Sequence, residues 1–455
     1  MKSKLLDFLL DEKEINKIAK EVGLCKRIRK FKPIDLLKMV VFHPNNIAKN
    51  NLTDITLNLF EISDIFVTPE ALNKRFNTKF VKFLKIVFLS LMDKILSITK
   101  PVKKVQDAFN RILLTDSSVS KLHKSLVSEY PGGRNGDGEY SSLKINFIKD
   151  LKCGTPVDIQ VSKGTKNDFK FLARLKKVVK SKDLVLNDLG YYSLNFFKFI
   201  LKKKAFFISK LKLNSTKALF VKNPTPERFK NGRIKSSSEF IPLDLEQVCK
   251  FMRKGKTKEV EEVYVGSSPD KLPCRLIITK LDGVLHRRRW KTVTKKIRDP
   301  RVCLKKSKEE IAKYGLMITN LSKEEYPKDQ IYPIYSLRWQ IELDFKNWKS
   351  TLEIDESARK LKKERVEAHF YGRLINILVN SELSKILKDE VDDDSLVFSE
   401  KKVFKNIAYY LYKLHHYDYK VNRIIDKLKI VVSRDCLKSK KKGVDSSDSI
   451  LKLII

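Results

Sequence analysis

The stretch Tyr335-Ser-Leu-Arg338-Trp-Gln-Ile-Glu342-Leu-Asp-Phe-Lys-Asn-Trp-Lys349 decides how the rest of the chain is read. Taken as one α-helix at about 100° per residue, it returns Tyr335, Arg338, Glu342 and Lys349 to a single stripe, because steps of three, four and seven residues come back to nearly the same azimuth. Leu337, Ile341, Phe345, Trp348 and Leu352 form a second stripe with the spacing of a core-facing surface. The expectation is a helix buried on one side, with an acid set among cations and a phenol on the next. An i,i+4 ion pair between Arg338 and Glu342, worth about a few tenths of a kcal/mol, would account for the charged stripe by itself. A catalytic role for Glu342 requires acidic partners elsewhere.

Two such partners stand at the ends of apolar runs. Arg111-Ile-Leu-Leu-Thr-Asp116-Ser-Ser and Leu184-Val-Leu-Asn-Asp188 each read as a central strand that delivers a carboxylate to the edge of a sheet. Further strands are expected over 143–147, 156–161 and 205–211, with a turn at Lys152-Cys-Gly154 and a helix over 168–180. Strands alternating with helices in this order imply an α/β fold, a mixed sheet flanked by helices in the ribonuclease H-like arrangement. Three converging carboxylates, Asp116, Asp188 and Glu342, without His or Cys, suit hard oxygen-ligated cations, Mg²⁺ or Mn²⁺. Two ions about 3.5–4 Å apart would serve phosphodiester displacement. Turn-capping by the two Asp residues is the structural alternative.

The spacing Tyr335-x2-Arg338-x3-Glu342-x6-Lys349 resembles the signature of DDE transposases of the insertion sequence 4 family. Asp116 before Ser117-Ser118 is similar to that family's first catalytic Asp, and Asp188 in Asp-Leu-Gly-Tyr-Tyr to its second, although Leu189 stands where the family more often has Arg. Lys144 and the Thr319-Asn-Leu segment fit as well. The resemblance covers roughly residues 30–385. It implies that Tyr335, Arg338 and Lys349 hold the transposon end, and that a mostly β insertion domain over 214–316 separates Asp188 from Glu342. Strands over 274–279 and 290–293 are expected there, around an Asp282-Gly283 turn. Arg287, Arg288 and Arg289 would grip phosphates, and Trp290 would either stack on a flipped base or pack in the insertion's own core.

The outer parts follow. Residues 1–100 read as a helical region for binding terminal-repeat DNA, with Thr53 and Thr68-Pro69 as helix starts and a second helix carrying Asn73, Lys74, Arg75 and Lys79; a plain helical bundle gives the same pattern. The catalytic core would occupy 101–213 and 317–390, and 391–455 would be helical with a basic, solvated tail from Cys436 to Asp448. Tyr130 to Gly138 reads as a mobile Gly-rich connection. With 95 Lys and Arg against 55 Asp and Glu, the formal charge is +40, which favours a polyanionic partner, although an AT-rich genome contributes to the Lys content. The six cysteines form no CxxC pair and read as reduced thiols of a cytoplasmic, nucleoid-associated protein without a membrane span.

The residues and the resemblance together point to cut-and-paste transposition with double-stranded DNA, at terminal inverted repeats and at the target, as partner and a homodimer in the synaptic complex. A structure-selective nuclease on the same fold and a non-catalytic regulator descended from a transposase are the alternatives.

Overall fold

The computed structural model describes residues 3–27, 32–42, 47–98, 108–136, 138–212, 218–266, 270–295, 311–355, 359–389, 396–416, 421–439 and 450–451. The first helices follow from their caps. Ser3 caps α1 (Lys4–Leu10), Asp11 caps α2 (Glu12–Glu21), and Pro33 opens α3 (Pro33–Val41) at its first position. Asn51, not Thr53, caps α4 (Leu52–Ser63), because its side chain accepts from the Asp54 N–H. Thr68 caps α5 (Pro69–Arg75) as its sequence suggests. The helix expected to carry both Arg75 and Lys79 is divided: Asn77 accepts from the Lys79 and Phe80 N–H groups and starts α6 (Thr78–Ile98).

The strand region comprises β1 (Arg111–Leu122), β2 (Pro131–Asn135), β3 (Gly138–Asp150), β4 (Thr155–Lys163), α7 (Leu172–Val178), β5 (Asp183–Asn187), α8 (Leu194–Lys202) and β6 (Phe206–Lys210). There follow β7 (Leu219–Lys222), β8 (Phe240–Pro242), α9 (Leu245–Cys249), β9 (Thr257–Val265), β10 (Leu272–Lys280), α10 (Gly283–Lys295) and β11 (Tyr314–Thr319). The chain closes with α11 (Lys328–Ser336), α12 (Trp339–Leu352), α13 (Lys363–Lys388), β12 (Leu396–Phe398), α14 (Glu400–His416), α15 (Val421–Asp435) and β13 (Leu437–Ser439). The fold is thus mixed α/β, with a large mixed sheet and flanking helices.

Two compact units emerge, one from the described residues of 1–104, 116–167 and 340–449, the other from those of 105–115, 168–339 and 450–455. In the first, β2 and β4 pair antiparallel with β3, and β1 neighbours β3. Its spine is α13, whose side chains from Val366 to Leu387 are mostly buried, Phe370, Leu374, Ile377 and Leu378 among them. Polar groups on this helix terminate the N-terminal ones. Glu382 accepts from the Lys4 and Leu5 N–H groups at the start of α1, Asn376 donates to the Val41 carbonyl at the end of α3, and Arg365 donates to the Ile47 carbonyl. Each closes a backbone group that a helix end or turn would otherwise leave open.

In the second unit the strands run β1-β5-β6-β11-β10-β9-β7-β8, parallel at β1–β5 and β5–β6 and antiparallel from β6 onward. The neighbours β4-β3-β1 in one unit and β1-β5-β6 in the other are those of the ribonuclease H-like arrangement. Arg275 on β10 is buried. It pairs with Glu259 at 2.6 Å and donates to the carbonyls of Leu321, Ser322 and Tyr326.

Four expectations are corrected. β1 does not stop at Asp116 but continues to Leu122. The Gly-rich segment forms a hairpin of β2 with β3, because Gly133 and Gly138 take positive φ without strain. Residues 290–293 are helical, since Asp282, instead of turning a hairpin, accepts from the Val284 N–H and caps α10. Cys436 is buried and Leu437–Ser439 pairs with Leu396–Phe398, so the tail begins as structure; the remainder of the expected solvated tail lies outside the described residues.

Within the first unit, α13 crosses α3 so closely at Gly372 that a Cβ there would stand 2.3 Å from Val40 Cγ1 and 2.5 Å from its carbonyl oxygen. Gly372→Ala therefore forces backbone to move, and the expected loss is about 1–3 kcal/mol despite alanine's better helix propensity. Chemical denaturation of the two proteins measures it.

Candidate active site

The second unit fixes the strand bearing Asp188. Arg111 Nε and Nη2 contact Asp183 Oδ1 and Oδ2 at 3.0 and 2.6 Å, and Arg111 Nη2 also donates to the Val178 carbonyl at 2.9 Å. These two residues face each other in the parallel β1–β5 register, which runs without a shift to Thr115 opposite Asn187. Asp116 and Asp188 are the residues that directly follow this last pair. Asp188 is half-buried, and its Oδ2 accepts from the Gly190 N–H at 3.5 Å, which opens a 3₁₀ turn over Leu189–Tyr191.

The expected single helix from Tyr335 to Lys349 is broken. α11 ends at Ser336, Leu337 and Arg338 form a turn, and α12 begins at Trp339. The Leu337 and Arg338 N–H groups bond three residues back, to Ile334 and Tyr335, so the last turn tightens toward 3₁₀ winding. Each such residue turns roughly 20° more than an α-helical one, so the segment is two helices and not one. Tyr335, 3% exposed, donates its hydroxyl to the Asn187 carbonyl at 3.2 Å. Arg338, 5% exposed, lies with its guanidinium 5.7 Å from the ring of Trp339, itself 55% exposed. The apolar stripe is as expected: Leu337, Ile341, Phe345, Trp348 and Leu352 are all buried.

In the first unit Asp116 is half-buried on β1, with Oδ1 accepting from the Ser117 N–H at 2.8 Å. Glu342 is half-buried in the first turn of α12, and Lys349 in its last turn pairs with Asp355 at 3.4 Å. The helix is bolted to β3 by contacts that sequence reading had not singled out. Lys149 Nζ meets both carboxylate oxygens of Asp344 at 3.0 and 2.8 Å. Phe147 packs against Trp348 and Phe345, with centroids 4.7 and 6.0 Å apart. Burial pushes the Asp344 carboxyl up to about 6, against the opposing pull of the Lys149 ammonium. Phe345 and Trp348 were legible as core; that Asp344, two residues after Glu342, would take a buried lysine had no local signal.

The remaining candidates lie apart from these. Lys74 and Arg75 are exposed at the end of α5 in the first unit. Arg287 and Arg288 are exposed on α10 in the second, Trp290 is half-buried there, and the Arg289 side chain lies outside the described residues. Lys144 on β3 is buried and donates to the Lys166 carbonyl. Among the described residues no group of three or more His, Cys, Asp or Glu is arranged to hold a metal ion, and no helix is long and apolar enough to cross a membrane.

A family model described as the transposase DDE domain matches residues 107–379. The transposase of insertion sequence element IS1151 from Clostridium perfringens is 34% identical, over 99% of this chain and 96% of that protein. The chain belongs to the DDE transposases. Similar relatives include the transposases of IS231F from Bacillus thuringiensis subsp. israelensis, 33% identical over 88% of this chain and 83% of that one, and of IS231D from subsp. finitimus, 35% identical over 81% and 76%. A solved piggyBac transposase synaptic complex with hairpin DNA is a remote likeness, at 14% identity and a TM-score of 0.42, covering 98% of this chain and 86% of that one. The protein is accordingly an enzyme of DNA strand cleavage and transfer, from a family that works with divalent metal ions.

The transposase's Lys149–Asp344 pair makes a pH-dependent prediction. Because the folded carboxyl is held above its ordinary value, ionising it costs stability as pH rises through about 6, and Lys149 limits that cost. Lys149→Met leaves the carboxylate buried with its cation removed. The expected loss is roughly 3–5 kcal/mol at about pH 8 and distinctly less near pH 5, where Asp344 is protonated. Unfolding curves at the two pH values measure the difference.

Proposed function

We propose that this transposase performs cut-and-paste transposition of an insertion sequence, with Asp116, Asp188 and Glu342 as the ligands of its catalytic metal. The observation that carries the assignment is the unshifted β1–β5 register, after whose last pair the two Asp residues directly follow. Carboxylate oxygens are the donors a hard cation takes; the three are half-buried and Asp116 accepts from the Ser117 N–H at 2.8 Å, but among the described residues they are not gathered into a metal site. When bound, Mg²⁺ or Mn²⁺, two ions in this reading, would activate the attacking water or 3′-hydroxyl and stabilise the leaving oxygen. The side chains' own work is to hold fixed acceptor oxygens where the strand and the helix deliver them.

Arg338 and Lys349 supply cationic donors for the phosphates of the transposon end. Arg287, Arg288 and Trp290 on α10, and Lys74 and Arg75 on α5, serve as outlying DNA contacts on a chain whose formal charge is +40. In this reading residues 1–100 bind the terminal repeats, 214–316 form the insertion within the catalytic core, and the synaptic complex is a homodimer acting at the nucleoid. The Tyr335-to-Lys349 spacing supports membership of the insertion sequence 4 group.

The test is direct. Asp188→Ala and Glu342→Gln proteins, given terminal-repeat DNA and a target plasmid in Mg²⁺, are expected to retain less than about one per cent of wild-type cleavage and joining while still binding the repeat. An Asp188→Ala protein that cleaves or joins at the wild-type rate would overturn the assignment.

A further inference from the structure

We propose that the acidic, apolar face of α4, with the turn that follows it, is the contact for a second copy of this chain, which docks through the basic outer face of its α15. The inference rests on the homodimer reading and says where the two copies meet.

This surface is an exception on the chain. Of 455 residues 95 are Lys or Arg, yet between Lys49 and Lys74 stand Asp54, Glu61, Asp64 and Glu70 with no Lys, Arg or His. α4 buries Ile55, Thr56 and Leu59. At steps of three, four and three residues its other side carries Asp54, Leu57, Glu61 and Asp64, with the exposed Phe60 beside them. Leu57 is 50% exposed. Asp64, left-handed at φ 53°, ends the helix by donating its N–H to the Phe60 carbonyl. Phe66, 66% exposed, then meets the Phe60 ring edge to face, with centroids 6.2 Å apart. Large exposed apolar side chains rimmed by charge mark a protein contact. Four carboxylates repel a phosphate backbone, so the fitting occupant is a basic, apolar protein surface and not duplex DNA.

Two-fold symmetry selects that surface. In a dimer of identical chains, patches that share one neighbourhood on each copy meet crosswise, each on the other's counterpart. α14 packs against both α4 and α15, which places the two helices in one neighbourhood of the first unit. α15 buries Ile424, Ile425, Leu428 and Val432. Its other side carries Arg423, Lys427, Ile430 and Arg434 at steps of four, three and four residues, with one acid, Asp426, alongside. Ile430 is 57% exposed. An apolar residue among three cations complements apolar residues among acids. α10 has a similar make-up, but it lies in the other unit, where Arg287 and Arg288 are given to DNA.

The test is a charge swap at exposed positions. One full-length variant carries Leu57→Lys and Glu61→Lys, the other Ile430→Glu and Arg434→Glu. Wild type, each variant alone and the two mixed are bound to saturating terminal-repeat DNA, and the copies per complex are counted by sedimentation velocity; circular dichroism checks the fold of each. Wild type is expected to pair. Either variant alone is expected to pair at least about tenfold more weakly, because like charges then face each other across both contacts. The mixture is expected to return to within about threefold of wild type, since one contact becomes Lys against Glu and the other is native. Wild-type pairing by either variant alone would overturn this surface while leaving the homodimer reading intact. Variants that fail alone and do not recover when mixed would overturn the match of α4 with α15. A wild-type protein that stays single on DNA would remove the homodimer reading and this contact with it.

Discussion

The ion pair between Arg111 and Asp183 sets the register on which the proposed site depends. A buried pair is stabilising only where its geometry compensates for the water removed, and here both guanidinium contacts and the Lys180 N–H converge on one carboxylate. Such a pair has little freedom to slip. A slip of one residue would part the buried Asp183 carboxylate from its guanidinium and move Asp188 along the strand relative to Thr115. With Arg111 opposite Asp183, the apolar residues 112–114 and 184–186 are buried, and the acids follow only after Thr115 and Asn187. The fold thus measures out the acids from the far end of the strands.

In the other unit the same device reappears on a helix. Lys149 and Asp344 form a buried pair, and the aromatic contacts of Phe147 with Phe345 and Trp348 leave α12 one way to lie against β3. Glu342 stands one helical turn before Phe345, so its direction follows from that packing. The ion pair adds specificity more than stability, since burial still raises the Asp344 carboxyl to about 6. Hydrophobic residues of similar volume would hold the helix as firmly, but they would not distinguish its rotation about its own axis so sharply.

How much of this was legible depends on whether the signal was local. The central strands were readable because residues buried on both faces give uninterrupted apolar runs, as at 112–114 and 184–186. Thr68-Pro69 was readable because a cap acts on its own neighbours. The failures have the same origin. Asp116 looked terminal because the apolar run stops there, yet β1, which neighbours β3 in the sheet, continues through Ser117 and Ser118, where sheet context and not propensity decides. Asp282-Gly283 satisfies a hairpin turn and a helix N-cap equally well, and the Val284 N–H settled it as the cap. Lys149 and Asp344 could not be paired in advance, because nothing near either residue marks the other.

The signature segment is the instructive intermediate case: its apolar stripe was right and its single continuous helix was not. Apolar residues tolerate a rotation of some tens of degrees and still face the core, so the tight turn at Leu337–Arg338 left all five of them buried. The Tyr-Arg-Glu-Lys spacing falls at helix ends and at the turn between two helices. Tyr335 sits in the last turn of α11 and reaches a strand terminus, and Arg338 occupies the turn itself. Glu342 falls in the first turn of α12 and Lys349 in its last, where an acid and a cation respectively complement the helix dipole. A spacing of four and seven residues is thereby satisfied by a short helix with charged ends as well as by a long one with a charged face. Periodicity alone cannot separate the two, because they differ only in the hydrogen bonds of two residues.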